Sequence, residues 1–300
     1  VGYMGWGLDF ILSANLFASL VRLGWALFWA GSFGEGAPPP APSFLLRYGL
    51  TLTVAGLLGA TNDVLDRVLL ARYDLSQTAL YGAAYRIAMA LALFVQAYRQ
   101  AGEPLFLGEH RGQLSFYRRS WLLFHGFAFL GVSLLGLWAR PLVTTTWGGL
   151  LPKPLFPPAY HRALEVVPIL LGANLLMGSL VQASLWYKLG ERPTAGLWIT
   201  GLGSLITWIG NVYGIPRYGY IASAWTTLGA YGAMVAVSLW QGRAKLPGAF
   251  PLRPLAFPLG VVLLSLWAEK HLHATWQVLG LSVGVLLAIG GWMREHLRSA

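Results

Sequence analysis

Long apolar stretches separated by short polar breaks run along the whole chain. A helix that crosses the ~30 Å hydrocarbon layer of a bilayer needs about 20 mostly apolar residues, because each residue adds ~1.5 Å of length. The alternation typical of strand hairpins is absent. The pattern therefore predicts an all-α protein, a polytopic transmembrane helix bundle of about nine helices. The predicted segments are Leu8 to Ala30, Leu45 to Ala71, Thr78 to Ala101, Ser120 to Trp138, Ala163 to Tyr187, Ala195 to Tyr213, Ile221 to Trp240, Leu255 to Ala268 and Trp276 to Met293.

The breaks between these segments carry residues that end helices. The first of them, Gly34 to Pro42, contains a run of prolines, and the later ones are also rich in Gly and Pro. Trp and Tyr cluster near segment ends, for example at Trp138 and Trp240, which is typical of the aromatic belts at membrane interfaces. Pro258 interrupts the eighth segment, which is the least regular of the nine.

Composition supports a lipid environment. Hydrophobic residues make up 56% of the chain and charged residues only 11%, whereas soluble domains carry about 25% charged residues. The net charge of +10 comes from bases dispersed singly between apolar stretches, which argues against nucleic acid as a partner and favours anchoring of loops at anionic headgroups. The chain has no cysteine, which excludes disulfides, thiol catalysis and cysteine-ligated metals.

The distribution of Lys and Arg between alternate loops predicts the orientation in the membrane. Twelve of these residues fall in the loops on one side and seven in the loops on the other. Cytoplasmic loops carry the excess of positive charge, so the bias places the C-terminus inside the cell. The count assigns bases near segment ends to the adjacent loops, and the two remaining bases, Arg22 and Arg86, lie inside the membrane.

Charged residues inside the predicted segments are the first candidates for function, because a charge at mid-bilayer costs about 2.5 to 3.5 kcal/mol unless it has a partner or a water-filled cavity. Arg22 is either a structural or snorkelling residue or a cation that faces a ligand. The second segment carries Asn62, Asp63, Asp66 and Arg67 within an arc of about 140°, which predicts one polar face directed into the bundle.

The ion pairs of this polar face can be anticipated from helical spacing. Asp63 and Arg67 stand at the favourable i,i+4 spacing, which leaves Asp66 to pair with another helix, and Arg86 is the expected partner. Two interpretations stay open: a salt-bridge cluster between helices, or a site that couples transport to H⁺ or Na⁺.

Polar residues also follow the third and fifth segments. Gln96, Arg99, Gln100 and Glu103 continue from Arg86 toward the inner side, and Arg99 and Glu103 can form an i,i+4 ion pair. In the fifth segment, Asn174 and Gln182 offer the uncharged hydrogen-bonding groups that sugars use, although hydrogen bonding between helices explains them equally well.

Residues for metal binding and covalent catalysis are scarce. His125 stands alone in an apolar segment, and no Walker loop, nucleophile elbow or carboxylate pair is present. Arg140, Lys153, His161 and Arg162 are the only candidates in outer loops for a membrane enzyme such as a glycolipid polymerase or ligase. The sequence therefore predicts a protein that is not an enzyme and has no metal or cofactor.

Four stretches carry a family resemblance: RYGLTLTVAGLLGATNDVLDRVLLARY, YGAAYRIAMALALFVQAYRQAGEPLF, VVPILLGANLLMGSLVQASLWYKLGE and GIPRYGYIASAWTTLGAYGAM. Together they resemble the bacterial flippases for lipopolysaccharide (O-antigen) and other polysaccharide precursors, which belong to the multidrug and oligosaccharidyl-lipid exporter superfamily. The resemblance covers about residues 8 to 245. It extends along several helices and contains no single short motif that defines a substrate.

The resemblance implies a MATE-like exporter fold of 12 to 14 helices in two lobes around a central cavity. Residues 1–43 would then be the last helix of the N-terminal lobe with the inter-lobe loop, 44–245 the six-helix C-terminal lobe, and 246–300 two additional helices. Five helices would be missing from the front, in keeping with a chain that opens at Val1, without Met and without a signal peptide.

The resemblance also implies a function: transport of an undecaprenyl-pyrophosphate-linked oligosaccharide across the bacterial inner membrane by alternating access. Polysaccharide polymerases and glycosyltransferases of the same pathway would be its partners. Matched by motif, the family's cavity arginines correspond to Arg67, in the Asp66–Arg67 pair, and to Arg86. Arg22, Arg99, Asn174 and Gln182 complete the predicted substrate-binding set, and Asp63, Asp66 and Glu103 are predicted to couple ions or form structural ion pairs.

A multidrug or cation antiporter of the same superfamily is the main alternative. Carboxylates such as Asp63 and Asp66 would then carry out the coupling. Several arginines within the membrane argue against a cationic cargo, because like charges repel in a medium of low dielectric constant.

Overall fold

The structure, a computed structural model, describes residues 8–30, 42–145, 154–190, 192–272 and 275–298. These residues contain ten α-helices. The chain divides into two units, Val1–Arg47 and Tyr48–Ala300. The helices are α1 (Leu8–Ala30), α2 (Pro42–Tyr73), α3 (Leu75–Leu107), α4 (Leu114–Thr144), α5 (Val167–Ala183), α6 (Leu185–Leu189), α7 (Pro193–Tyr218), α8 (Tyr220–Gly242), α9 (Ala256–Glu269) and α10 (Thr275–Arg298). A 3₁₀ helix, Pro158–Val166, leads directly into α5.

The predictions of an all-α fold and of a multi-pass membrane protein are confirmed. Six helical segments in the described residues are long and apolar enough to cross a membrane. They are Leu75–Leu107, Leu114–Thr144, Pro158–Leu189, Pro193–Tyr218, Tyr220–Gly242 and Thr275–Arg298.

Six of the nine predicted spans are thus supported. The three other predicted segments are also helices, α1, α2 and α9, but they are not among the six found in the described residues. The 14 residues of α9 extend only ~21 Å, short of the ~30 Å of hydrocarbon. The predictions for α1 and α2 include residues whose side chains lie outside the described residues, so the count of six does not test these two spans.

Apolar side chains cover the outside of the second unit. Leu93 on α3 is 66% exposed, Trp198 on α7 is 78% exposed and Leu287 on α10 is 72% exposed. Large apolar groups in these numbers would be unfavourable in water, but they match the hydrocarbon of a bilayer. The exposed surface therefore supports the same conclusion as the helix lengths: the bundle lies in lipid.

Helix α4 lies at the centre of the second unit, where it contacts α3, α5, α9 and α10. Glycines permit these close approaches: Gly126 lies against the side chain of Met293 on α10, Gly136 against Leu266 on α9, and Gly178 of α5 against Phe124. Because lipid tails are as apolar as the helices, close packing and hydrogen bonds hold such bundles together.

Tryptophan N–H groups add hydrogen bonds between these elements. The indole of Trp121 on α4 donates to the Pro251 carbonyl at 3.1 Å, and that of Trp138 donates to the Ser282 hydroxyl of α10 at 3.0 Å. Trp186 donates to the Ser238 hydroxyl of α8 at 3.1 Å. Since hydrocarbon offers no partners for polar groups, these bonds fix how the helices are positioned against one another.

Asp74 lies between α2 and α3 and caps the N-terminus of α3. Its carboxylate accepts hydrogen bonds from the backbone N–H and the hydroxyl of Ser76, both at 2.7 Å, and from the N–H of Gln77. The two bonds from Ser76 are the main reason that the pKa of Asp74 lies below its ordinary value of 3.8.

This cap gives a pH-dependent prediction. Because folding lowers the pKa of Asp74, the carboxylate stabilises the fold above its ordinary pKa, and this stabilisation is lost as the pH falls through the lowered value. Asp74→Ala should therefore lower the melting temperature more at neutral pH than at a pH below the lowered pKa, where the neutral acid keeps only the uncharged cap. Thermal unfolding at the two pH values checks this. Asp74→Asn, which keeps a capping oxygen without a charge, should cost less than Asp74→Ala at both; an equal loss from Asp74→Ala at both pH values would contradict the pH-dependent part.

Candidate functional site

The polar face predicted on α2 is found, and Asp66 is its buried centre. Asp66 is only 2% exposed. One carboxylate oxygen accepts a hydrogen bond from the Tyr81 hydroxyl of α3 at 2.5 Å, and the other accepts from the backbone N–H of Arg67 at 2.7 Å. Tyr81 is also fully buried. The predicted ion pair between Asp66 and Arg86 is not found; a neutral phenol on α3 holds the carboxylate instead.

Arg67 stands at the edge of this buried face. Its Nε atom lies 4.0 Å from the Asp66 carboxylate, and its guanidinium carbon lies 4.2 Å above the ring centroid of Tyr85 on α3. The side chain of Arg67 is nevertheless 39% exposed. The ring stabilises the charge by a cation–π contact while part of the guanidinium stays accessible to a ligand.

The polar face continues across α7 and α8 as a chain of hydrogen bonds. The Thr207 hydroxyl donates to the side-chain oxygen of Asn62 at 2.8 Å, and the Ser223 hydroxyl of α8 donates to Asn211 at 2.7 Å. The Asn211 amide donates to the Thr207 carbonyl at 2.8 Å, so the bonds connect α2, α7 and α8. Thr207 and Asn211 share one face of α7 at i,i+4 spacing, but only the packing of α7 against α2 and α8 brings them to Asn62 and Ser223, which the sequence did not reveal.

A small cavity lies beside Asp66. Its volume is about 20 Å³, and it is lined by Asn62, Asp66, Asn174 and Thr227 among others. A volume of this size holds about one water molecule or small ion and is far too small for a sugar. The buried polar layer is therefore no substrate cavity by itself.

A much larger pocket opens on the neighbouring face of α3, where Arg86 lies. Its volume is about 550 Å³. One wall is formed by α3, from Leu75 to Arg86, and the other by residues 155–160. Ala79, Gly82 and Ala83 are small, which leaves the space open. Among the described residues, the exposed guanidinium of Arg86 makes no ion pair or hydrogen bond.

The polar residues farther along α3 are bound to each other. Arg99 Nε lies 3.3 Å from the Glu103 carboxylate, so the predicted i,i+4 pair is present. Lys188 of α6 approaches the same carboxylate oxygen at 2.6 Å. Sequence spacing did not predict this contact, because 85 residues separate Glu103 from Lys188. Glu103 is thus neutralised by two bases, and a role of Arg99 in substrate binding stays a prediction.

Asn174 and Gln182 hold α5 against α3. The Asn174 amide donates to the Ala88 carbonyl at 3.3 Å and to the Leu170 carbonyl of its own helix at 3.1 Å. The Gln182 amide donates to the Tyr98 hydroxyl of α3. Both residues are buried, and of the two only Asn174 lines the small cavity. Interhelical hydrogen bonding is therefore the role that their contacts support, and sugar binding stays a prediction.

Arg22, Asp63, Lys153 and His125 complete the set of predicted residues. Arg22 has an exposed side chain on α1, which belongs to the first unit. The side chain of Asp63 and the whole of Lys153 lie outside the described residues. His125 is buried, with one ring nitrogen 2.8 Å from the Trp121 carbonyl and the other 3.0 Å from the Ser179 hydroxyl. Within the described ranges, no three His, Asp or Glu residues are placed to hold a metal.

Comparison with known proteins adds no assignment: no protein-family model, no curated protein and no solved structure matches this chain. The geometry of the site is therefore what supports a function, and membership of the exporter superfamily stays a prediction.

Proposed function

We propose that this chain belongs to a transporter that moves an undecaprenyl-pyrophosphate-linked oligosaccharide, a precursor of lipopolysaccharide or another polysaccharide, across the bacterial inner membrane. The observation that carries the proposal is Arg86. Its guanidinium lies on a membrane-spanning helix, has no acidic partner in the described residues, and lines a pocket of about 550 Å³.

The electrostatics of this position favour a phosphorylated ligand. An unpaired cation within the hydrocarbon layer costs about 2.5 to 3.5 kcal/mol, so it persists where water or an anion reaches it. Guanidinium stays charged when it is desolvated, and its planar fork of donors matches two oxygens of a phosphate. Arg67 is a second base, on the adjacent helix α2, and it lies outside the lining of this pocket.

The size and lining of the pocket fit the headgroup of such a lipid. Pockets for small ligands enclose about 300 to 1,000 Å³, and this one falls within that range. Tyr160 and Phe156 form part of the wall opposite Arg86, and aromatic faces suit the apolar faces of sugar rings. The headgroup would cross through this space while the polyprenyl tail stays in lipid, without covalent chemistry.

Alternating access, a MATE-like arrangement of two lobes and a cytoplasmic C-terminus belong to the same proposal. Asp66 is the residue we propose for coupling to H⁺ or Na⁺, because it is a buried carboxylate beside a cavity that holds about one water or ion. A polysaccharide polymerase and glycosyltransferases would act with the transporter.

A cationic drug fits this site less well. Among the described lining residues of the larger pocket, the one charged group is the Arg86 guanidinium, and the buried Asp66 carboxylate does not line it. A positive cargo would therefore meet repulsion in this pocket, with no carboxylate in the described lining to offset it.

Transport by the purified protein in proteoliposomes tests the proposal. A fluorescent polyprenyl-pyrophosphate oligosaccharide should become accessible on the opposite leaflet faster than in empty vesicles, whereas a cationic dye should not accumulate. The matched control substrate is the same oligosaccharide on an uncharged polyprenol, which should move slowly because it lacks the phosphates. Equal movement of the charged and uncharged lipids, or dye accumulation alone, would overturn the proposal.

A further inference from the structure

A second pocket lies on another side of the bundle, where α4, α5 and α9 meet. Its volume is about 420 Å³. It shares no lining residue with the pocket of Arg86. The lining residues are Gly136, Ala139, Arg140, His161, Arg162, Leu164, Glu165, Val167, Pro168, Leu266, Glu269 and Lys270. Three of them, Arg140, His161 and Arg162, were candidates for outer-loop chemistry in the sequence, and the structure brings them together.

The pocket is polar at its rim and apolar at its floor. Arg140 is near the end of α4, and Glu269 and Lys270 are at the end of α9. Gly136 and Leu266 lie about one turn farther from those ends, toward the middle of the bundle, and Ala139 directly precedes Arg140. A polar rim at a helix end together with an apolar floor matches the boundary between lipid headgroups and acyl chains.

The charges at the rim leave cations available for a ligand. Arg140 and Glu269 neutralise each other, with Nε and Oε1 2.9 Å apart. Among the residues that the structure describes, neither Arg162 nor Lys270 forms an ion pair, and Glu165 is the one other acid of the lining. The rim therefore carries an excess of positive charge, counting His161 as neutral.

Hydrogen bonds hold the backbone of this rim in place. The Tyr220 hydroxyl of α8 donates to the Arg162 carbonyl at 3.3 Å, and the His161 ring lies 3.3 Å from the Phe156 carbonyl. The Arg140–Glu269 pair connects α4 to α9 across the pocket. Because these contacts order the rim before a ligand arrives, less conformational entropy is lost when a ligand binds there.

We propose that this pocket binds the phosphate group of an anionic membrane lipid, with the phosphate between Arg162 and Lys270 and the start of an acyl chain over the apolar floor. Basic pockets between membrane helices bind phosphate headgroups by charge, and each Lys or Arg near the surface contributes about fivefold in affinity. The site is separate from the proposed transport pocket, and it does not depend on that function.

Binding of short-chain phosphatidylglycerol to the purified protein in uncharged detergent tests this proposal. Arg162→Gln and Lys270→Gln should each weaken binding about fivefold, and the double variant about 25-fold. Arg72→Gln is the matched control, because Arg72 is exposed in the last turn of α2 and lines neither pocket. None of these changes breaks an ion pair of the described residues, so the variants should fold.

Two further ligands identify the source of the phosphate. Zwitterionic phosphatidylcholine should bind at least fivefold more weakly than phosphatidylglycerol, and inorganic phosphate more weakly still, because it gains nothing from the apolar floor. Binding of inorganic phosphate as tight as that of phosphatidylglycerol would overturn the assignment to a lipid. Unchanged phosphatidylglycerol binding in the double variant, or equal binding of the two lipids, would overturn the site.

Discussion

Replacement of Arg86 by Gln should reduce transport of the pyrophosphate-linked lipid by about 30-fold or more. Removing one side of a desolvated, hydrogen-bonded charge pair costs about 2 kcal/mol or more, and no other cation among the described residues lines the pocket of Arg86. Arg86→Lys keeps the charge but loses the planar fork, so it should retain an intermediate rate. Initial rates in proteoliposomes, corrected for the amount of protein inserted, check both variants.

Arg72→Gln is the control for this experiment. Arg72 is exposed near the end of α2 and does not line the pocket, so its replacement removes the same charge without touching the proposed site. Arg86 forms no hydrogen bond in the described residues, which means that its loss should leave the melting temperature within a few degrees. A normal transport rate for the Arg86→Gln protein, or a loss equal to that of the control, would contradict the proposal that Arg86 binds an anionic headgroup.

Replacement of Asp66 by Ala should destabilise the bundle by about 2 to 3 kcal/mol. The change leaves the buried Tyr81 hydroxyl without its acceptor and removes the carboxylate next to Arg67, and an unsatisfied buried polar group costs about 1 to 3 kcal/mol. Thermal or denaturant unfolding in detergent checks the magnitude. Val64 is the matched control, because it lies on the same helix and is exposed, so Val64→Ala should cost under about 1 kcal/mol.

A second substitution separates the structural role of Asp66 from the proposed coupling role. Asn retains a side-chain oxygen that can accept the Tyr81 hydrogen bond but cannot bind or release a proton. Asp66→Asn should therefore cost much less stability than Asp66→Ala and yet abolish ion-driven transport. Tyr81→Phe is the complement, since it removes the hydrogen bond and keeps the carboxylate. Full coupled transport in a folded Asp66→Asn protein would limit Asp66 to a structural role.

The sequence was most informative where one physical rule decides the structure. Bilayer thickness sets helix length, so the apolar stretches located the six spanning segments that the structure describes. The i,i+4 spacing anticipated the Arg99–Glu103 pair for a similar reason, because helix geometry alone brings the two together. The same rule placed Asn62 and Asp66 on one buried face of α2.

Sequence periodicity and spacing did not predict the contacts between helices that are distant in the sequence. Tyr81 is an ordinary aromatic residue in the sequence, and only the packing of α2 against α3 makes it the partner of Asp66. Lys188 lies in the break after the fifth predicted segment, and nothing in the sequence connects it to Glu103, which it neutralises. The proposed lipid pocket likewise depends on Arg140 and Glu269, which are 129 residues apart. Periodicity reports the direction of a side chain, and it carries no information on the residue that lies opposite.

Chemical labelling inside the pocket of Arg86 tests the central claim most directly. The chain has no cysteine, so Ala79→Cys introduces a single reactive thiol in the lining of the pocket and keeps Arg86, and Leu93→Cys on the same helix places one on the exposed apolar surface. A charged thiol reagent in water should label Ala79→Cys and leave Leu93→Cys unlabelled, and the polyprenyl-pyrophosphate oligosaccharide should protect Ala79→Cys. If Ala79→Cys stays unlabelled, or is labelled equally with and without this lipid, the pocket does not receive the headgroup and the proposed function is contradicted.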